Sequence, residues 1–119
     1  MEVAVEQFGD TVVVSLPGES LDASNASAFK RDIAPIIEAH SRVVFDLSHL
    51  RFVDSSGLGA LLSCLRQLNA AGGDLKLCGM SRSVRTLFEL VRMHRIFEIF
   101  NTVEEAVRAF QTADEAVVV

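Results

Sequence analysis

Between Phe52 and Leu62 the chain reads Phe-Val-Asp-Ser-Ser-Gly-Leu-Gly-Ala-Leu-Leu, and no other stretch constrains the fold as strongly. The apolar segment Val43 to Leu47 precedes it, and Leu58, Leu61, Leu62, Leu65 and Leu68 follow at helical spacing. A strand therefore feeds a helix of about Ser55 to Ala70. Gly57 and Gly59 fall in the opening turns of that helix, where each costs roughly 1 kcal/mol relative to alanine. Something other than helix propensity places them there.

The flanking sequence supplies the other elements. Val3 to Phe8 alternates apolar and polar residues, Gly9-Asp10 makes a turn and Thr11 to Leu16 gives a second strand, which together predict an opening hairpin. Pro17-Gly18 ends it, and Glu19 to Leu21 is a short extended piece. Asp22, Ser24 and Asn25 are each candidates to cap a first helix with the apolar stripe Ala26, Phe29, Ile33, Ile36 and Ile37. Pro35 predicts a kink or break of that helix near Ile33. Arg42 to Leu47, apolar on both faces apart from Asp46, reads as a central strand covered on both sides. Ala71-Gly72-Gly73-Asp74 ends the second helix, and Leu75 to Cys78 is the next strand.

Ser81 can cap a third helix whose apolar positions are Val84, Leu87, Phe88 and Val91. Arg85, Glu89 and Arg92 share its polar side, which predicts a solvated ion-pair stripe, with docking as the second reading. Ile96 to Phe100 is a last strand, and Thr102-Val103-Glu104-Glu105 has the capping-box pattern ahead of a helix carrying Val103, Val107 and Phe110. Residues 110–119 are read as a fraying tail. The expected fold is α/β: a single domain over residues 1–119, with an N-terminal hairpin, then alternating strands and helices, giving a small mixed β-sheet with about four helices.

Bulk composition narrows the function. Half of the 119 residues are hydrophobic and 23% are charged, which suits a folded domain. Mean hydropathy is +0.33, yet no run approaches the ~20 apolar residues of a membrane helix, so no membrane insertion is expected. Met1 to Glu6 lacks the pattern of a secretory signal, and a cytoplasmic location is expected. Cys64 and Cys78 have no metal or disulfide spacing and read as reduced core residues. A net charge of -5 argues against a nucleic-acid surface and leaves a protein partner or a small ligand.

The polar turn at Asp54-Ser55-Ser56 can be tested against known chemistries. A phosphate loop needs a lysine, and none lies between Lys30 and Lys76. A dinucleotide fingerprint needs three spaced glycines, and only Gly57 and Gly59 are present. A nucleophile elbow needs glycine two positions before and after the serine, a condition that neither Ser55 nor Ser56 meets. His40, His49 and His94 stand in no motif that makes one a base, and Asp22, Asp46 and Asp54 have no accompanying metal-ligand pattern. Neither an enzyme activity, a metal nor a cofactor is expected. A serine at a helix start can instead be modified, because open N–H groups and the helix dipole tolerate a phosphate there. On residue chemistry alone, an N-cap at Asp54 or Ser55 with closely packed glycines is the favoured explanation of the turn.

The run Asp46-Leu47-Ser48-His49-Leu50-Arg51-Phe52-Val53-Asp54-Ser55-Ser56-Gly57-Leu58-Gly59 strongly resembles the signature of the STAS domain, specifically of bacterial anti-sigma factor antagonists. Gly18-Glu19 through Leu21-Asp22 resembles the family's early turn, and Gly72-Gly73 with Leu75 to Cys78, Val84 to Leu90 and Ile96 to Phe100 fit its later elements. The resemblance implies partner switching. The unmodified protein would bind an anti-sigma factor that is also a serine kinase, releasing a sigma factor. The kinase would use ATP to phosphorylate Ser55, with Ser56 as the second candidate, and a serine phosphatase would reset it. Asp22, Asp54, Ser55, Ser56, Gly57, Leu58 and Gly59 would form the partner surface. An alternative within the family is a regulatory subunit of a lipid-transport or sensory assembly.

Overall fold

The computed structural model describes residues 2–116, with side chains through residue 112. The strands are β1 (Ala4–Phe8), β2 (Thr11–Ser15), β3 (Ser20–Leu21), β4 (Arg42–Asp46), β5 (Phe52–Val53), β6 (Asp74–Cys78) and β7 (Glu98–Phe100). The helices are α1 (Ala26–Ala39), α2 (Ser55–Ala70), α3 (Arg82–Leu90) and α4 (Val103–Ala116), with a 3-10 turn at Met93–Arg95. Five strands form one sheet in the order β1-β2-β4-β6-β7. The hairpin pair β1-β2 is antiparallel, and every other pairing in that sheet is parallel. The α/β class and the mixed sheet agree with the sequence reading. The second sheet was not foreseen: β3 and β5 pair in parallel, Ser20 beside Phe52 and Leu21 beside Val53.

Both faces of β4 are covered. Val43 and Phe45 face a core shared with α1, α2 and α3, where Phe29 meets Phe45 edge-on at 5.8 Å. Val44 points the other way and joins Val13 and Cys78 under Ala106, Val107 and Phe110 of α4. Lys76 is buried on that second face. Its Nζ lies 2.7 Å from Glu98 Oε1 and 4.4 Å from the centre of the Phe110 ring, which satisfies the charge as α4 closes over it.

Several local expectations need correction. Pro35 does not break α1, which runs unbroken through it. Its ring is exposed, while Phe29, Ile33 and Ile37 hold the opposite side to the core. None of Asp22, Ser24 or Asn25 supplies a side-chain cap to α1: Asn25 stands at the N-cap, but its Oδ1 accepts from Asp22 N and its Nδ2 donates to Ser20 O. The last strand starts at Glu98, because Ile96 closes the 3-10 turn. The ion-pair stripe on α3 does not form. Arg92 leaves the helix at φ 61°, and Arg85 Nη2 donates to Asn101 Oδ1 at 3.4 Å instead.

Other signals hold. Val84 N donates to Ser81 Oγ, and Thr102 and Glu105 cap each other reciprocally. Gly72, at φ 86°, ends α2 in a Schellman turn in which Gly73 N donates to Leu68 O. Residues 110–116, assigned to a tail by sequence, lie in α4, and 117–119 are outside the described residues.

Candidate functional site

The site is built where β3 and β5 meet the start of α2. Asp54 N donates to Leu21 O, extending the strand pairing by one step and bringing the two loops together. The Asp54 carboxylate then divides its work. Oδ1 accepts from Gly57 N at 2.9 Å and caps α2, while Oδ2 accepts from Ala23 N at 3.0 Å and ties down the turn that leads to α1. The side chain of Asp22, on the same turn, accepts from both the hydroxyl and the backbone N–H of Ser24. These bonds, the hydroxyl foremost, hold its carboxyl below the ordinary aspartate value.

Gly57 is required from inside the fold. A Cβ there would sit 2.1 Å from the carbonyl oxygen of Leu21 and 2.9 Å from Val53 Cγ1. The helix can approach β3 that closely only without a side chain. A Cβ on Gly59 would meet nothing within 4 Å. Gly57 and Leu58 are buried. Leu58 packs in the main core. Asp54, Ser55, Ser56 and Gly59 remain accessible, with Asp22 at the neighbouring turn.

Ser55 and Ser56 are exposed, and among the described residues neither hydroxyl has a hydrogen-bond partner. Asp54 occupies the cap, so the serines are surplus to helix initiation. Both hydroxyls stand at the positive end of the α2 dipole. Phe52, 56% exposed, extends the surface on the strand side. Sequence reasoning did not single it out because the two-residue strand that presents it has no period, and it overlooked Leu21 and Ala23 because their contacts are tertiary. The two larger clefts, of about 500 and 480 Å³, lie elsewhere, one beside Lys76 and Phe110 and the other between α3 and β7.

Among the described residues no helix is long and apolar enough to cross a membrane. The family model for the STAS domain matches residues 2–106. The chain is 31% identical to BtrV of Bordetella bronchiseptica over 114 residues, covering 95% of this chain and 97% of that protein. It is 26% identical to the anti-sigma-B factor antagonist of Bacillus subtilis over 99 residues, covering 83% and 90% respectively. The unphosphorylated form of the anti-sigma factor antagonist SpoIIAA superposes with a TM-score of 0.76 at 28% identity, covering 93% of this chain and 97% of that one. Its phosphorylated form, from Bacillus, gives 0.68 at the same identity, covering 92% and 99%.

Proposed function

The chain belongs to the STAS domain family, and from that premise we propose that it is a cytoplasmic anti-sigma factor antagonist, without enzymatic activity of its own, switched by phosphorylation of Ser55. Unphosphorylated, it binds an anti-sigma factor that is a serine kinase and so releases a sigma factor. The kinase phosphorylates Ser55, the complex separates, and a serine phosphatase restores the hydroxyl. The observation that carries this reading is the free, exposed Ser55 hydroxyl beside a cap already filled by Asp54. The existence of relatives named as antagonists, one of them known in both phosphorylation states, supports it.

The physics of the switch is local. Docking over the start of α2 desolvates Asp54, Ser55 and Ser56, which is tolerable for one carboxylate already bonded to two backbone N–H groups. A phosphate adds about -1.5 to -2 charges next to that carboxylate. The open N–H groups of the first turn stabilise the dianion while it is hydrated, and the same charge must be stripped of water or repel acidic groups when a partner docks.

Incubation with the cognate anti-sigma kinase and ATP tests this directly. Modification is expected at Ser55, Ser55→Ala should remain bound to the kinase after ATP addition, and Ser55→Asp should bind weakly. Normal phosphorylation of Ser55→Ala would move the acceptor to Ser56. No modification of the wild-type chain by that kinase would favour a purely structural subunit.

A further inference from the structure

Among the described residues the main sheet ends at β7, whose outer edge has no neighbouring strand. Phe100 O accepts from Gly79 N on the inner side, so by the alternation of a parallel strand the N–H and C=O of Ile99 point to the open edge. Between this edge and α3 runs a cleft of about 480 Å³ bordered by Arg85, Glu89, His94 and Arg95. Glu98 also borders it, but that carboxylate is engaged by Lys76 at 2.7 Å. Residues 82–96 contain four arginines against one glutamate, a local excess of three positive charges in a chain whose net charge is -5. Arg82, Arg92 and Arg95 make no ion pair among the described residues.

An apolar group lies among these charges: Ile96, on the border of the cleft, is 51% exposed. Arg92 is the sole non-glycine residue with positive φ among the described residues, and its left-handed turn swings the chain from α3 into the 3-10 segment that forms one wall of the cleft.

We propose that this edge receives an extended acidic segment of a partner protein, which adds as a strand beside β7 and sets its carboxylates against Arg85 and Arg95, with an apolar residue on Ile96. The unpaired backbone of Ile99 supplies main-chain hydrogen bonds, and the arginines supply the charge selection. A concave slot next to a strand edge suits a peptide better than a bilayer, which offers no main-chain partner to Ile99. The site is separate from the Ser55 surface and stands without the switching mechanism.

The test is titration of the full ¹⁵N-labelled chain with an acetylated Glu-Val-Glu-Val-Glu-Val peptide, its Lys-Val counterpart and anionic phosphatidylglycerol vesicles. The acidic peptide should shift the amides of Glu98 to Phe100 and of Arg85 to Ile96, and raised salt should weaken it. Arg85→Glu combined with Arg95→Glu, the two arginines set against the carboxylates, should reduce affinity by roughly tenfold or more. Ile99→Pro removes the outward N–H of the edge and also the Ile99 side chain packed on the core, so Ile99→Val is its packing control: proline should abolish binding and valine keep it while both spectra stay dispersed. The proposal is overturned if the acidic peptide leaves these amides unmoved, if the lysine peptide binds as well, if the charge reversals change nothing, or if vesicles alone perturb the same residues.

Discussion

The carbonyl oxygen of Leu21 occupies the space that a Cβ on Gly57 would need, at a separation of 2.1 Å. Because the obstacle is backbone, no rotamer change relieves it. Gly57→Ala must push α2 away from β3 and is expected to destabilise the chain by about 2 kcal/mol or more, read as a lower midpoint in urea. Gly59→Ala is the control: it meets nothing, gains helix propensity, and should raise stability by up to about 1 kcal/mol. Equal effects of the two would remove the steric account.

Asp54→Ala loses the cap on Gly57 and the tie to Ala23 together, for an expected cost of about 1–2 kcal/mol. Asp54→Asn keeps a single acceptor oxygen and should fall between alanine and wild type. Thermal melts of the three proteins order them, and an asparagine variant as unstable as alanine would contradict the divided carboxylate.

Phosphorylation of Ser55 should leave the fold in place. Amide exchange of the phosphorylated and unmodified chains is expected to differ around residues 50–62 and to match across the five-stranded sheet. Large changes in β4 or β6 would replace a surface mechanism with a conformational one.

Burial pushes the thiols of Cys64 and Cys78 up to about 12 from an ordinary 9.0. Desolvation dominates at both, and it favours the neutral thiol in the folded state. Their contribution to stability is therefore complete below the unfolded value of 9.0 and is lost as pH rises from there towards about 12. Denaturant midpoints should fall over that range in wild type, and less steeply in a Cys64→Ala variant. Below it, alkylation of the native chain should be slow, since both side chains are buried and protonated.

The sequence made much of this legible because the signals involved are local. The period of Leu58, Leu61, Leu65 and Leu68, the box at Thr102 and Glu105 and the glycines after Ala71 each act within a few residues, and each appears in the structure. The pairing of β3 with β5 was hidden because two-residue strands have no period. Gly57 pointed to a constraint, but the constraint is Leu21, far away in the chain, so its burial was not visible. The stripe on α3 failed for another reason: helical spacing was extended through Arg92, where the backbone had already turned left-handed.

Ala23 and Asp54 are 31 positions apart, and the bond between them spans the loop-to-loop tie that shapes the start of α2. A peptide covering only residues 50–62 lacks one half of that tie, so an excised fragment carries the serine without its setting. The setting of Ser55 is therefore a property of the tertiary fold: a chain still emerging or already unravelled lacks the tie between Asp54 and Ala23 that holds it. An enzyme that reads the shape around this serine checks the integrity of its substrate as it acts.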